Sequence, residues 1–159
     1  MSFIDYGQAA VTECVNGLAS GNFTQPFSFI LTPKQNDVLE KRFRYLLWPA
    51  PQCKAIEVTV KAVQHVFVSR TSKDGLTQQE IAGMMAAIFR KDSEVAVNHR
   101  YTHQFHLINS RIKLKDGQFA IGCFQVSYPQ GLPTSIALET AYLAVPAKAL
   151  GLLGKGVKK

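Results

Sequence analysis

Histidine, arginine, threonine and tyrosine recur together in this chain. His65 is followed by Ser69 and Arg70, the run His99-Arg100-Tyr101-Thr102-His103 precedes His106, and Thr140 and Tyr142 stand two residues apart near the end. Such groups suit the cleavage of RNA without a metal. The ribose 2′-hydroxyl is itself the nucleophile, so a protein has to supply a base, an acid and cations that stabilise the charged phosphorane. An imidazole with an unperturbed pKa of about 6.5 can act in either sense near neutrality, and arginine offers phosphate a planar fork of donors. Taken alone, a histidine such as His65 equally suits a structural role.

Other chemistries lack their residues. There is no GxSxG, P-loop, HExxH or dinucleotide fingerprint. Asp74 and Asp116 stand in turn sequences and Glu80 in a helix cap, which leaves no carboxylate pair for glycosidase work. Cys14, Cys53 and Cys123 are far apart and odd in number, which suits a reducing compartment, cytoplasmic or within a virion. The only ligand-like histidine spacing is His99-x-x-x-His103, so neither a metal nor another cofactor is expected.

Charge points to a polyanion. Eighteen Lys and Arg against eleven Asp and Glu give a net charge of +7, a field that attracts RNA. The expected RNA-contacting residues are Arg42 and Arg44 on the polar side of a helix, Lys61, and the cluster His99, Arg100 and His103. A solvated surface is the alternative for each. Residues 145–159 read as a basic Gly/Lys-rich tail, either disordered or touching RNA.

These side chains need a scaffold, and the patterning supplies one domain over residues 1–144. Helical spacing covers Asp5 to Leu18. Phe27 to Leu31 is a short strand-like run. Thr32-Pro33 then opens a helix whose apolar residues Val38, Leu39, Phe43, Leu46 and Leu47 continue to Trp48-Pro49. A strand from Ile56 runs into a helix carrying His65. Thr77-x-x-Glu80 forms a capping box for a helix ending near Lys91. From residue 94 the pattern turns to β-branched and aromatic runs, 94–98, 102–108, 111–114, 118–128 and 134–144, with a two-residue hairpin turn at Asp116-Gly117 between two of them. The expected fold is α+β, with N-terminal helices packed on a C-terminal antiparallel sheet. No apolar stretch is long enough to span a bilayer, and the start of the sequence lacks the basic character of a signal peptide.

Five spaced motifs carry a resemblance. The runs Val60-Lys61-Ala62-Val63-Gln64-His65, Ser69-Arg70, Gly75-Leu76-Thr77-x-x-Glu80-Ile81, Gly117-x-Phe119-x-Ile121 and Leu138-Glu139-Thr140-Ala141-Tyr142 resemble the phage-associated branch of the barnase, EndoU, colicin and RelE ribonuclease superfamily. The resemblance covers roughly 58–144 and implies helices on a four-stranded antiparallel sheet with an RNA-cleaving site between an early helix and the sheet. It implies His65 as general acid or base, Arg70 as phosphate holder, and Thr140 with Tyr142 completing the site. Arg70 stands where that family often has a second histidine.

Two functions therefore compete. One is a metal-independent endoribonuclease, a toxin or phage-encoded domain, whose partner beyond RNA would be an inhibitor or immunity protein. The other is a structural nucleic-acid-binding protein, such as a self-assembling capsid or packaging protein. A protein-interaction or membrane-surface module resting on Leu150, Leu152, Leu153 and the tail lysines is weaker, because Gly151, Gly154 and Gly156 oppose a stable helix there.

Overall fold

In Phe27–Ile30 the side chains of Phe27 and Phe29 are buried and their neighbours exposed, the alternation of a half-buried strand, β1. The computed structural model that defines it describes residues 16–17, 26–51, 55–97, 103–128, 130–131 and 134–157. Of the helix expected over 5–18, only Asn16 and Gly17 fall within the described residues, and both are helical.

Helix α1 (Pro33–Tyr45) starts as the sequence demands. The Thr32 hydroxyl accepts from the Gln35 amide, the Gln35 side chain accepts from the Thr32 amide, and proline occupies the first turn. Strand β2 (Ala55–Val58) leads through the Thr59 cap into α2 (Val60–Asp74). Gly75 ends α2 in the left-handed region at φ 66°, where an L side chain would be strained. The Thr77–Glu80 capping box then opens α3 (Gln78–Ile88). Strands β3 (Glu94–Ala96), β4 (Gln104–Asn109), β5 (Phe119–Ser127) and β6 (Ser135–Ala144) follow, and α4 (Pro146–Val157) closes the described chain. None of the described helices is long and apolar enough to cross a membrane.

The domain is α+β, but its sheet differs from the expected one. It has six strands in the order β1-β2-β6-β5-β4-β3, and it begins at Phe27 rather than in the last third. The meander β3 to β6 is antiparallel throughout, whereas β2 lies parallel to β6, pairing Ile56 with Ile136. The sheet is therefore mixed, not antiparallel. A four-residue strand carries little periodicity, and a parallel pair separated by some eighty residues leaves no local turn signal.

Two further local differences have clear causes. The Asn109 side-chain oxygen accepts from the amides of Arg111 and Ile112, which turns the chain out of the ladder, so 111–114 forms bends instead of a strand. Asp116 (φ 56°) and Gly117 (φ 73°) take the expected positive φ, but in a single 3-10 turn, Lys115–Gly117, closed by the Gln118 amide donating to Lys115, and not as a two-residue turn between two strands, because 111–114 is not a strand. The residues expected to be a tail instead form α4, whose Ala149, Leu152 and Leu153 pack on Ala96, Ile108, Phe119, Ile121 and Ala144. Burial of that stripe outweighs a glycine cost of about 1 kcal/mol per residue.

The main core lies on the other face of the sheet, under α1, α2 and α3. Phe89 packs edge-on against Phe27 (5.2 Å) and against Phe124 (5.9 Å), and Phe105 stacks on Phe124. Gly122 lets α3 approach closely: a Cβ there would stand 2.8 Å from the Ile88 side chain.

Candidate nucleic-acid interface

The residues carried over from the ribonuclease resemblance divide into two groups. Arg70 is half-buried near the C-terminal end of α2, donates to Asp74, and lines a cavity of about 300 Å³ with Lys115, Gln118 and Leu143. Its charge is felt at Tyr142 and Cys123. Thr140 and Tyr142 share a face of β6, and Thr140 is paired across the ladder with Cys123, whose thiol is hydrogen-bonded with Tyr142. Thr140 and Tyr142 thus occupy one neighbourhood beside Cys123, to which Arg70 on α2 is linked by its charge. His65 is exposed and five residues from Arg70, which at 100° per residue sets the two side chains about 140° apart around the helix.

Burial dominates the electrostatics of that neighbourhood. It pushes the Cys123 thiol up to about 12 and the Tyr142 hydroxyl up to about 12, so both hold their protons at neutral pH. His106, directly opposite Cys123 on β4, is buried and its pKa is lowered, first by burial and then by the nearby positive charge of Lys148, against a hydrogen bond with the Ala96 backbone. The Lys148 ammonium sits 4.9 Å from the centre of the Tyr142 ring. These groups form a packed seam beneath α4 in which the thiol is not activated.

The basic residues gather elsewhere. Lys34 and Arg42 on α1, Lys91 on the loop before β3, and Arg111 beyond β4 line one cavity of about 470 Å³, with Asp92 and Glu94 at its wall. Its floor is held by a buried polar network. The Gln35 side-chain amide donates to the carbonyls of Arg90 and Ser93, the Ser93 hydroxyl donates to Ala87 and Ile88, and Asn109 donates to Asp92 and Ser93. The Arg90 guanidinium, hydrogen-bonded to Asp92, holds that carboxyl below the usual carboxylate range. Asp92 therefore has its own cation, and among the described residues no ion pair engages Lys34 or Arg111.

No known protein family, curated protein or solved structure matches this chain.

Of the expected RNA-contacting residues, Arg42 lies in this groove, Arg44 is exposed in the last turn of α1, and Lys61 is exposed on α2. His99 and Arg100 lie outside the described residues. His103 belongs to an aromatic corner: its ring lies 5.3 Å from Trp48 and 4.7 Å from Tyr128, and the Tyr128 hydroxyl donates to the Pro49 carbonyl. Sequence reading missed Lys34, Lys91 and Arg111 as one set because three separate segments supply them. Trp48 and Tyr128 were missed for the same reason. The basic polar face of α1 was the only local signal for either feature.

Proposed function

We propose that the chain binds RNA, with the groove of Lys34, Arg42, Lys91 and Arg111 as its phosphate-contacting surface. The observation that carries this reading is the convergence of four cations from three segments on one concave surface, in a chain of net charge +7. The cavity beside Arg70 is a weaker candidate, since Asp74 and Asp116 offset Arg70 and Lys115 there.

Metal-independent endoribonuclease activity is the second reading. It is favoured by the order of 60–144, two helices followed by a four-stranded antiparallel meander, and by the charge of Arg70 acting at Tyr142 beside Thr140. The exposed position of His65, turned away from Arg70, weighs against it.

One experiment separates the readings. The chain is mixed with labelled RNA in EDTA, binding is followed by anisotropy, and the RNA is then run on a denaturing gel. Four phosphate contacts to a single strand should lower affinity about fiftyfold between about 50 and 200 mM salt. Affinity independent of salt would overturn the proposal. Products with 2′,3′-cyclic phosphate ends would make the chain an enzyme, and His65→Ala should then slow cleavage about a hundredfold if His65 is the acid or base.

A further inference from the structure

The backbone at the C-terminal end of α1 is unusual for the residues it contains. The helix ends in a Schellman arrangement: the Trp48 amide donates to the Phe43 carbonyl, the Leu47 amide donates to Arg44, and the Trp48 and Phe43 rings meet edge-on at 5.1 Å. The left-handed residue in such a motif is usually glycine. Here it is Leu47, at φ 61°, with its side chain 91% exposed. His103, at the other side of Trp48, also has a positive φ of 64°. Strain of this kind persists where the surroundings impose it, and it collects at functional surfaces.

These positions frame a chain of rings. Phe43 anchors Trp48 from the core, and Trp48, His103 and Tyr128 follow in contact, each half-buried. Tyr45, 60% exposed, and the exposed Arg44 stand in the last turn of the same helix. Aromatic rings beside arginines form the surface on which unpaired bases stack, because every base has a π-face and the cations take the phosphates. A duplex hides those faces within its own stack. The basic groove runs along α1 from Lys34 to Arg42, about 12 Å along its axis, and Arg42 lies within two turns of Trp48 in the chain.

We infer that this corner of Trp48, His103 and Tyr128 is a stacking platform that makes the chain a binder of single-stranded nucleic acid. The inference rests on the RNA-binding reading and specifies its substrate class. Basic character favours a nucleic acid over an apolar protein partner as the occupant.

Trp48 is the sole tryptophan, so its emission reports on this corner alone. The full chain is titrated with single-stranded oligoadenylate RNA of about twelve nucleotides, with duplex RNA of the same length, and with inorganic polyphosphate. The single strand is expected to quench Trp48 and to bind tighter than the duplex, while polyphosphate binds without quenching. His103→Asn, which removes the ring but tolerates the left-handed backbone, is expected to weaken single-strand binding about five- to a hundredfold and leave polyphosphate binding unchanged. If the single strand binds by anisotropy but Trp48 emission does not move and His103→Asn binds like the parent, the stacking platform is refuted and RNA binding stands. If no RNA binds even at low salt, the RNA-binding reading itself fails, and the platform fails with it.

Discussion

His106 gives the protein an acid sensitivity that can be traced to one side chain. Burial lowers its folded pKa below 6.5, so below that pH the unfolded chain binds a proton that the folded chain refuses. The stability contributed by the neutral imidazole is therefore complete above pH 6.5 and is lost as pH falls towards the folded pKa. The midpoint of urea unfolding should drop across that window, and His106→Gln should flatten the drop; an unchanged profile in the variant would remove His106 as the cause. Asp92, also lowered, acts only further down, in the carboxylate range below about 3.8. At Cys123 the thiol retained up to about 12 predicts slow alkylation in the folded chain and fast alkylation in urea, measured on the peptide containing it.

Single positions set how the elements meet. Gly122 sits under α3 with no room for a methyl group, since an added Cβ would meet Ile88 at 2.8 Å and Phe124 at 3.0 Å. Gly122→Ala should cost about 1 to 3 kcal/mol by forcing helix and sheet apart, read as a lower midpoint in denaturant. Leu47→Gly should do the opposite. It relieves a left-handed leucine that gains no burial, so a rise of about 1 kcal/mol is expected, and a loss would mean that the leucine side chain stabilises the corner in the free protein.

For the molecule as a whole, α4 is the element whose state matters most. It covers one face of the sheet through Ala149, Leu152 and Leu153 and carries Lys148 over the seam of Tyr142 and His106. Hydrogen exchange should show protected amides over 149–153, and Leu152→Asp should abolish that protection and lower stability by about 1 to 3 kcal/mol. Fast exchange throughout 146–157 in the parent would return this segment to a solvated tail.

What the sequence determined by itself was local. Thr32-Pro33, the Thr77–Glu80 box, the positive φ at Asp116-Gly117 and the β-branched and aromatic runs of β4 to β6 are encoded within a few residues, because caps, turns and strand propensity are short-range physics. The basic face of α1 and the common face of Thr140 and Tyr142 were legible for the same reason. Tertiary structure decided the rest. The parallel pairing of β2 with β6, the folding of α4 onto the sheet, the gathering of Lys34, Arg42, Lys91 and Arg111, and the meeting of Trp48 with His103 and Tyr128 all join residues distant in the chain. No local propensity specifies such meetings. They follow from burying two sheet faces at once, which fixes which segments end up side by side.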